Sequence, residues 1–274
     1  MISDEFEMAV GSIVGRDHLR PLAWRNNQDG WAIRAAGDAI AAVVTDGCGS
    51  EARSETGAGI GAEIFAQALA DEARRPESDA PTRIIRAGEH MLDRLRTVAS
   101  AMGADLPTVV SAHFLFTING VLITPDDTTC FAIGDGVLFL NGERIPIGPF
   151  EGNAPPYAAY CLLDGLERLP ERLAITRVIP TGQVRSILIG TDGVEHLRAA
   201  EAEHLPGKAE RIGPISQFWE EEHYFGNPDM IRRRLALMQQ EHLAIDWQNR
   251  TAVRIPGRLP DDTTLITIRH KLNR

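Results

Sequence analysis

Five short acidic motifs in this chain of 274 residues share one construction. Each places an aspartate at the start or end of a stretch that reads as a strand, beside glycine or threonine. They are Asn27-Gln28-Asp29, Val44-Thr45-Asp46-Gly47, Ile133-Gly134-Asp135-Gly136, Ile189-Gly190-Thr191-Asp192-Gly193 and Asp261-Asp262-Thr263-Thr264. A carboxylate following a β-branched run carries a desolvation cost unless a cation or hydrogen bonds offset it. Strand ends from distant parts of a chain can converge at one edge of a sheet assembly. Oxygen ligands without His or Cys partners then select a hard divalent cation, Mg2+ or Mn2+, over zinc. A single Asp-Gly pair is most often turn chemistry. Five of them, each tied to a strand, weaken that reading and support a metal site, though not yet a reaction.

The elements that must position these residues follow from the apolar pattern. Trp31–Ala36 and Ala39–Thr45 read as strands joined by a Gly37-Asp38 turn. Ser54 is placed as the cap of a helix reaching about Ala73, with Ile60, Ile64, Phe65 and Leu69 on one stripe. A second helix is expected from about Pro81 to Met102. Val109–Ile118, Val121–Thr124, Thr128–Ile133 and Val137–Leu140 read as a strand meander, with Asn119-Gly120 and Asn141-Gly142 as type I′ turns. Ile175–Ile179, Arg185–Gly190 and Thr263–Ile268 add further strands. Asn227 and Pro228 are expected to open a helix carrying Ile231, Leu235 and Met238. The pattern lacks strict βαβ alternation, so antiparallel sheets between helix layers fit it better than a doubly wound fold.

Composition excludes several classes. Lys+Arg number 28 against 38 Asp+Glu, a net charge of −10, which opposes a general nucleic-acid binder or an anionic-membrane binder. The three cysteines match no zinc or haem spacing and are expected to be reduced thiols in a cytoplasmic protein. The acidic start Met1-Ile2-Ser3-Asp4-Glu5 lacks the apolar core of a signal peptide. No repeat or linker divides the chain, so one domain over 1–274 is expected, with a core of about 11–268.

The order of the motifs resembles that of the metal-dependent Ser/Thr protein phosphatases, the PPM-type or type 2C family. Asn27-Gln28-Asp29 and Val44-Thr45-Asp46-Gly47 match its opening; Gly134-Asp135, Thr191-Asp192-Gly193 and Asp261-Asp262-Thr263-Thr264 follow in its order. Gly11-Ser12 and Gly15-Arg16-Asp17-His18 look most like a divergent bacterial branch. The resemblance implies an α+β fold, two antiparallel β-sheets packed face to face as a sandwich and flanked by helix pairs. It implies that Asp46 bridges two Mn2+ or Mg2+ ions, that the Gly47 carbonyl binds one, and that Asp192 and Asp261 complete the other. Asp29 would bond to metal-held water, and Asp135 would hold a third ion with Asp192. The implied reaction is hydrolysis of phosphoserine or phosphothreonine by direct attack of a metal-bridging water or hydroxide. The implied partners are phosphoproteins and a cognate Ser/Thr kinase. Such a route needs no side-chain nucleophile. The alternative thiol loop is rejected, because Arg53 lies five residues after Cys48 rather than six and Glu51 intervenes.

Three departures from the family pattern bear on function. The arginine many members carry five residues before the Asp29 position is Trp24 here, so Arg25, one residue late, is the phosphate-binding candidate. Cys48 stands where many members have His, and reads as a packing residue. Gly136-Val137 stands in place of Ser-Arg after Asp135. The eight histidines, His18 among them, show no metal-ligand spacing and read as surface or satisfied core residues. The segment from Trp219 to Phe225 reads as a solvated connection. Two other functions stay open: a regulatory or binding module of weak or no turnover, and a phosphatase of small phosphate esters.

Overall fold

In the computed structural model of the chain, which describes residues 1–19, 26–51, 53–75, 79–148, 150, 155–163 and 168–271, the run Ala39–Gly47 is a strand buried on both faces. Ala41 and Val43 pack with Phe65, Leu69 and Met91 of two helices. Ile40, Ala42 and Val44 pack with Ile187, Ile189, Ile266 and Ile268 of another sheet. A strand covered on both sides has no solvent face, so its sequence is continuously apolar instead of alternating.

The strands in chain order are β1 (Phe6–Ile13), β2 (Asp29–Ala36), β3 (Ala39–Gly47), β4 (Phe116–Ile123), β5 (Asp127–Ile133), β6 (Val137–Leu140), β7 (Glu143–Ile145), β8 (Ala174–Pro180), β9 (Ser186–Gly190), β10 (His242–Asp246), β11 (Thr251–Ile255) and β12 (Thr263–His270). The helices are α1 (Ile2–Glu5), α2 (Ser54–Ala73), α3 (Ala80–Ala101), α4 (Leu106–His113), α5 (Leu169–Arg172), α6 (Gly193–Ala199), α7 (Gln217–Glu220), α8 (His223–Gly226) and α9 (Met230–Gln239). One antiparallel sheet runs β1-β12-β9-β6-β7 and the other β2-β3-β4-β5-β8, while β10 and β11 form a separate hairpin. The two main sheets face each other across an apolar layer that includes Val121, Leu138 and Ile266. Helices α2, α3 and α4 cover the outside of one sheet. Helices α6 to α9 cover the other. This is the expected α-β-β-α sandwich.

Several local expectations need correction. Val109–Ile118 is not a strand: α4 occupies its first half, because Asp105 caps a helix by accepting from the Thr108 amide (3.1 Å) with Pro107 in the first turn. Asn119-Gly120 is not a turn but lies inside β4. There Asn119 bonds across to the other sheet, and Phe131 lies over Gly120. The turn falls instead at Thr124–Asp127, closed by the Thr124 and Asp127 backbones at 2.8 Å. Asn141-Gly142 does turn between β6 and β7, both residues having positive φ. Ser54 is the first residue of α2, not its cap; its hydroxyl donates to the Cys48 carbonyl instead. Asp229, not Asn227, precedes α9, and Asn227 Oδ1 accepts from the Asp229 amide at 3.0 Å. The segment from Trp219 to Phe225 is solvated only in its middle, Glu220 to His223, while Trp219 and Phe225 pack against the core. Tyr224 is 2% exposed, stacked near Phe218, and its hydroxyl donates to Gln217 Oε1 at 2.8 Å.

Candidate metal centre

The sandwich brings the ends of strands from both sheets to one edge. Asp29 opens β2 and Asp46 stands one residue before the end of β3, and the two are paired across the ladder. Asp192 follows β9 and sits at the start of α6. Asp261 and Asp262 immediately precede β12, which pairs with β9. Asp135 lies between β5 and β6. Asp46, Asp135, Asp192, Asp261, Thr117 and the backbone of Gly47 line a common cleft of about 170 Å³. Residues separated by more than 200 positions are thus neighbours because each terminates a strand on the same edge.

Hydrogen bonds between the sheets fix this edge. Thr191 donates its hydroxyl to Asp29 Oδ2 at 3.0 Å, and the Thr264 amide donates to Thr191 Oγ1 at 3.1 Å. Asn119 in β4 donates to the Asp135 carbonyl at 2.7 Å and the Gly190 carbonyl at 3.3 Å. That crossing explains Gly136 in place of serine: at its φ of +135° a Cβ would sit 1.9 Å from Asn119 Nδ2. Asp262 accepts from the backbone amides of Gly15 (2.6 Å) and Gln28 (2.5 Å) and from His18 Nδ1 (2.9 Å).

The electrostatics of the cluster are strained in one direction. Burial, then the Asp29, Asp192 and Asp261 charges, hold the Asp46 carboxyl well above its ordinary range. Burial and Asp262 do the same to Asp29, against two threonine hydrogen bonds. Burial and Asp261 raise Asp192; burial and Asp192 raise Asp135. Asp46 and Asp192 each feel the other's carboxyl directly. A proton between two carboxylates does what a cation does there, screening like charges. Asp29 Oδ1 is buried and, among the described residues, has no hydrogen-bond partner. Among the described residues, no group of three or more His, Cys, Asp or Glu side chains is drawn together closely enough to hold a metal ion. An orphaned carboxylate oxygen, an all-oxygen donor set and mutual repulsion nevertheless fit hard divalent cations that keep part of their water.

Two further cleft residues have definite surroundings. Cys48 Sγ lies 3.2 Å from Ser50 Oγ, and the thiol is free. Tyr157 lines the same cleft, and burial, then the Cys48 side chain, hold its phenol well above the ordinary value, so it stays neutral beside the carboxylates. Sequence reasoning missed Tyr157, Thr191 and Asn119 as site residues. His18, one of the histidines read as surface or satisfied core residues, is bonded to Asp262 and also lines the cleft. Arg25 and Trp24 lie outside the described residues.

The model of a known family, described as protein phosphatase 2C, matches residues 14–236. The chain belongs to the protein phosphatase 2C family. No curated protein matches it in sequence. Solved phosphatase structures share the fold. A bacterial serine phosphatase superposes with a TM-score of 0.57 at 14% identity, covering 98% of this chain and 99% of that one. The serine/threonine phosphatase Stp1 from Staphylococcus aureus gives 0.56 at 13%, covering 97% and 96%. The catalytic domain of the serine/threonine phosphatase PstP, solved with 2 manganese ions, gives 0.52 at 14%, covering 97% and 98%. The family fold therefore extends over nearly all of this protein phosphatase 2C chain. No helix among its described residues is long and apolar enough to cross a membrane.

Proposed function

We propose that this chain is a divalent-metal-dependent phosphoprotein phosphatase that hydrolyses phosphoserine and phosphothreonine. The observation that carries the proposal is the meeting of Asp29, Asp46, Asp192 and Asp261 at one sheet edge, where burial and the neighbouring carboxylates push the Asp46 carboxyl well above its ordinary range. In this reading Asp46, the Gly47 carbonyl, Asp192 and Asp261 hold two Mn2+ or Mg2+ ions. Asp135 offers a third, weaker position with Asp192, and Arg25 receives the substrate phosphate. A bound pair of such ions supplies a water that is acidic near neutrality and offsets phosphate charge.

The protein's own contributions are positional. Thr191 fixes one oxygen of Asp29, which leaves the buried Oδ1 as an unpaired acceptor among the described residues. Asn119 ties the Asp135 loop to the end of β9, so the turns bearing Asp135 and Asp192 move together. Tyr157 offers a neutral O–H at the rim, suited to a phosphate oxygen. The unit is taken as one domain acting in the cytoplasm on the products of a Ser/Thr kinase. Purified protein is expected to hydrolyse a phosphothreonine peptide with Mn2+ or Mg2+ and to stop with chelator. Asp46→Asn should lower kcat by at least about 100-fold, the scale of losing a preorganised charge-stabilising group, while far-ultraviolet circular dichroism stays unchanged. Activity that survives both treatments would overturn the assignment. Comparing kcat/KM for phosphopeptides and small phosphate esters tests the substrate class.

A further inference from the structure

The turn formed by Gly15 to His18 grips the strand end that carries Asp261. The Arg16 amide donates to the Leu259 carbonyl and the Asp17 amide to the Pro260 carbonyl, both at 3.0 Å. The Gly15 amide donates to Asp262 Oδ1 at 2.6 Å. Gly15 lies flush on Asp261, where a Cβ would be 2.4 Å from the Asp261 carbonyl carbon. His18 completes the grip. Its amide closes the turn on the Gly15 carbonyl (3.1 Å), and its ring Nδ1 donates to Asp262 Oδ1 (2.9 Å). A carboxylate only accepts, so the bond fixes the proton on Nδ1 and the ring orientation. Nε2 then faces Asp261 Oδ1 at 3.9 Å, beyond direct bonding but within reach of one bridging water. The His18 side chain is 14% exposed and that of Asp262 4%, whereas Asp261 is 46% exposed at the cleft. The packed pair thus stands directly behind the open carboxylate. The Asp262 amide also donates to Asp261 Oδ1 at 2.9 Å, linking the pair to that carboxylate through one residue.

The geometry points to His18 as a positioning residue: through Asp262 it sets the orientation of Asp261, and with it the affinity of the Asp261 site for its cation. The inference rests on the proposed function, since it needs Asp261 to bind metal. Partners that orient metal ligands typically cost 10–100-fold in metal affinity when removed, and that is the loss expected for His18→Ala. Asparagine carries its amide nitrogen on Cγ, where histidine carries Nδ1, so His18→Asn can keep the bond to Asp262.

The test is calorimetric titration with Mn2+ alone, with no substrate, on wild type, His18→Ala, His18→Asn, Asp261→Asn and the double variant His18→Ala/Asp261→Asn. Expected are a 10–100-fold weaker binding step in His18→Ala, recovery to within about threefold in His18→Asn, and no further loss when His18→Ala is added to Asp261→Asn, as for residues acting through one contact. Thermal melts with and without Mn2+ separate positioning from support of the fold. A positioning role makes the His18→Ala deficit larger with metal present, because only the metal-bound increment shrinks. Wild-type affinity in His18→Ala would overturn the inference. So would the same fold-loss in the Asp261→Asn background, or an equal melting deficit with and without Mn2+. Failure of wild type itself to bind Mn2+ would instead sink the proposed function, and this inference with it.

Discussion

Gly193 follows Asp192 and opens α6, and it is where the geometry of the edge can be tested most sharply. A Cβ built there would lie 1.9 Å from the Asp262 carbonyl oxygen and 2.7 Å from Thr263 Oγ1. Real Cβ contacts do not fall below 3.0 Å, so Gly193→Ala forces an opening of at least 3.0 − 1.9 = 1.1 Å. Neither neighbour is a flexible side-chain tip. One is backbone between Asp261 and β12, and Thr263 is fully buried in β12. The methyl therefore drives the start of α6, with Asp192, away from the strand end that carries Asp261. Overpacking of this kind costs about 1–3 kcal/mol, or roughly 2–4 °C of melting temperature per kcal/mol at this size. A misplacement of about 1 Å between cooperating groups can cost about 100-fold in rate, so activity should fall far more than stability. The assay is the steady-state rate on an aryl phosphate at saturating Mn2+, beside a thermal melt. Gly59→Ala is the control. It lies in α2 with no described residue within 4 Å of an added Cβ, and the change should stabilise the helix by about 1 kcal/mol without touching the rate. A Gly193→Ala protein that keeps more than a third of the wild-type rate would refute the view that Asp192 and Asp261 act across this contact.

Other expectations follow from the same cluster. Asp29, Asp46 and Asp192 have carboxyls raised in the folded chain, so the metal-free fold binds more protons than the unfolded chain above the ordinary carboxylate value. Its stability should fall as pH rises from about 4 toward neutrality, and melts in chelator should show this slope flattened by Mn2+ or by Asp46→Asn. Asp229, lowered to about 2 by Arg232 and Arg233, acts in the opposite sense. It stabilises above the ordinary carboxylate value and loses this as pH falls toward 2, so the two windows are separable. Thr191→Val removes the donor to Asp29 Oδ2; a reduced Mn2+-dependent rate should accompany a stability loss of about 1–3 kcal/mol in urea unfolding.

The sandwich was legible where a residue's surroundings are local or periodic. β3 announced burial on both faces by an unbroken apolar run, and Asn141-Gly142 announced its turn by the positive φ that both residue types tolerate. The errors at Val109 and Asn119 have a different source. A short apolar run cannot distinguish a helix from a strand, and Asn-Gly in mid-strand is decided by partners far away in the chain, Gly190 and Phe131. The site divides in the same way. The aspartates were readable as an ordered set because each marks the end of a strand. His18 was not, because its meaning comes from Asp262, 244 residues later. No spacing rule reaches across that distance; only the closing strand β12, laid beside β1 along its full length, brings the two together. This dependence also explains why Asp262 is the deeper and Asp261 the more open of two adjacent aspartates. Backbone amides from the first and second strand-bearing segments converge on Asp262, so the chain's beginning and end are tied by the carboxylate that faces inward. Its neighbour Asp261, on the same cleft but 46% exposed against 4%, is the one that the proposed function leaves to meet a cation.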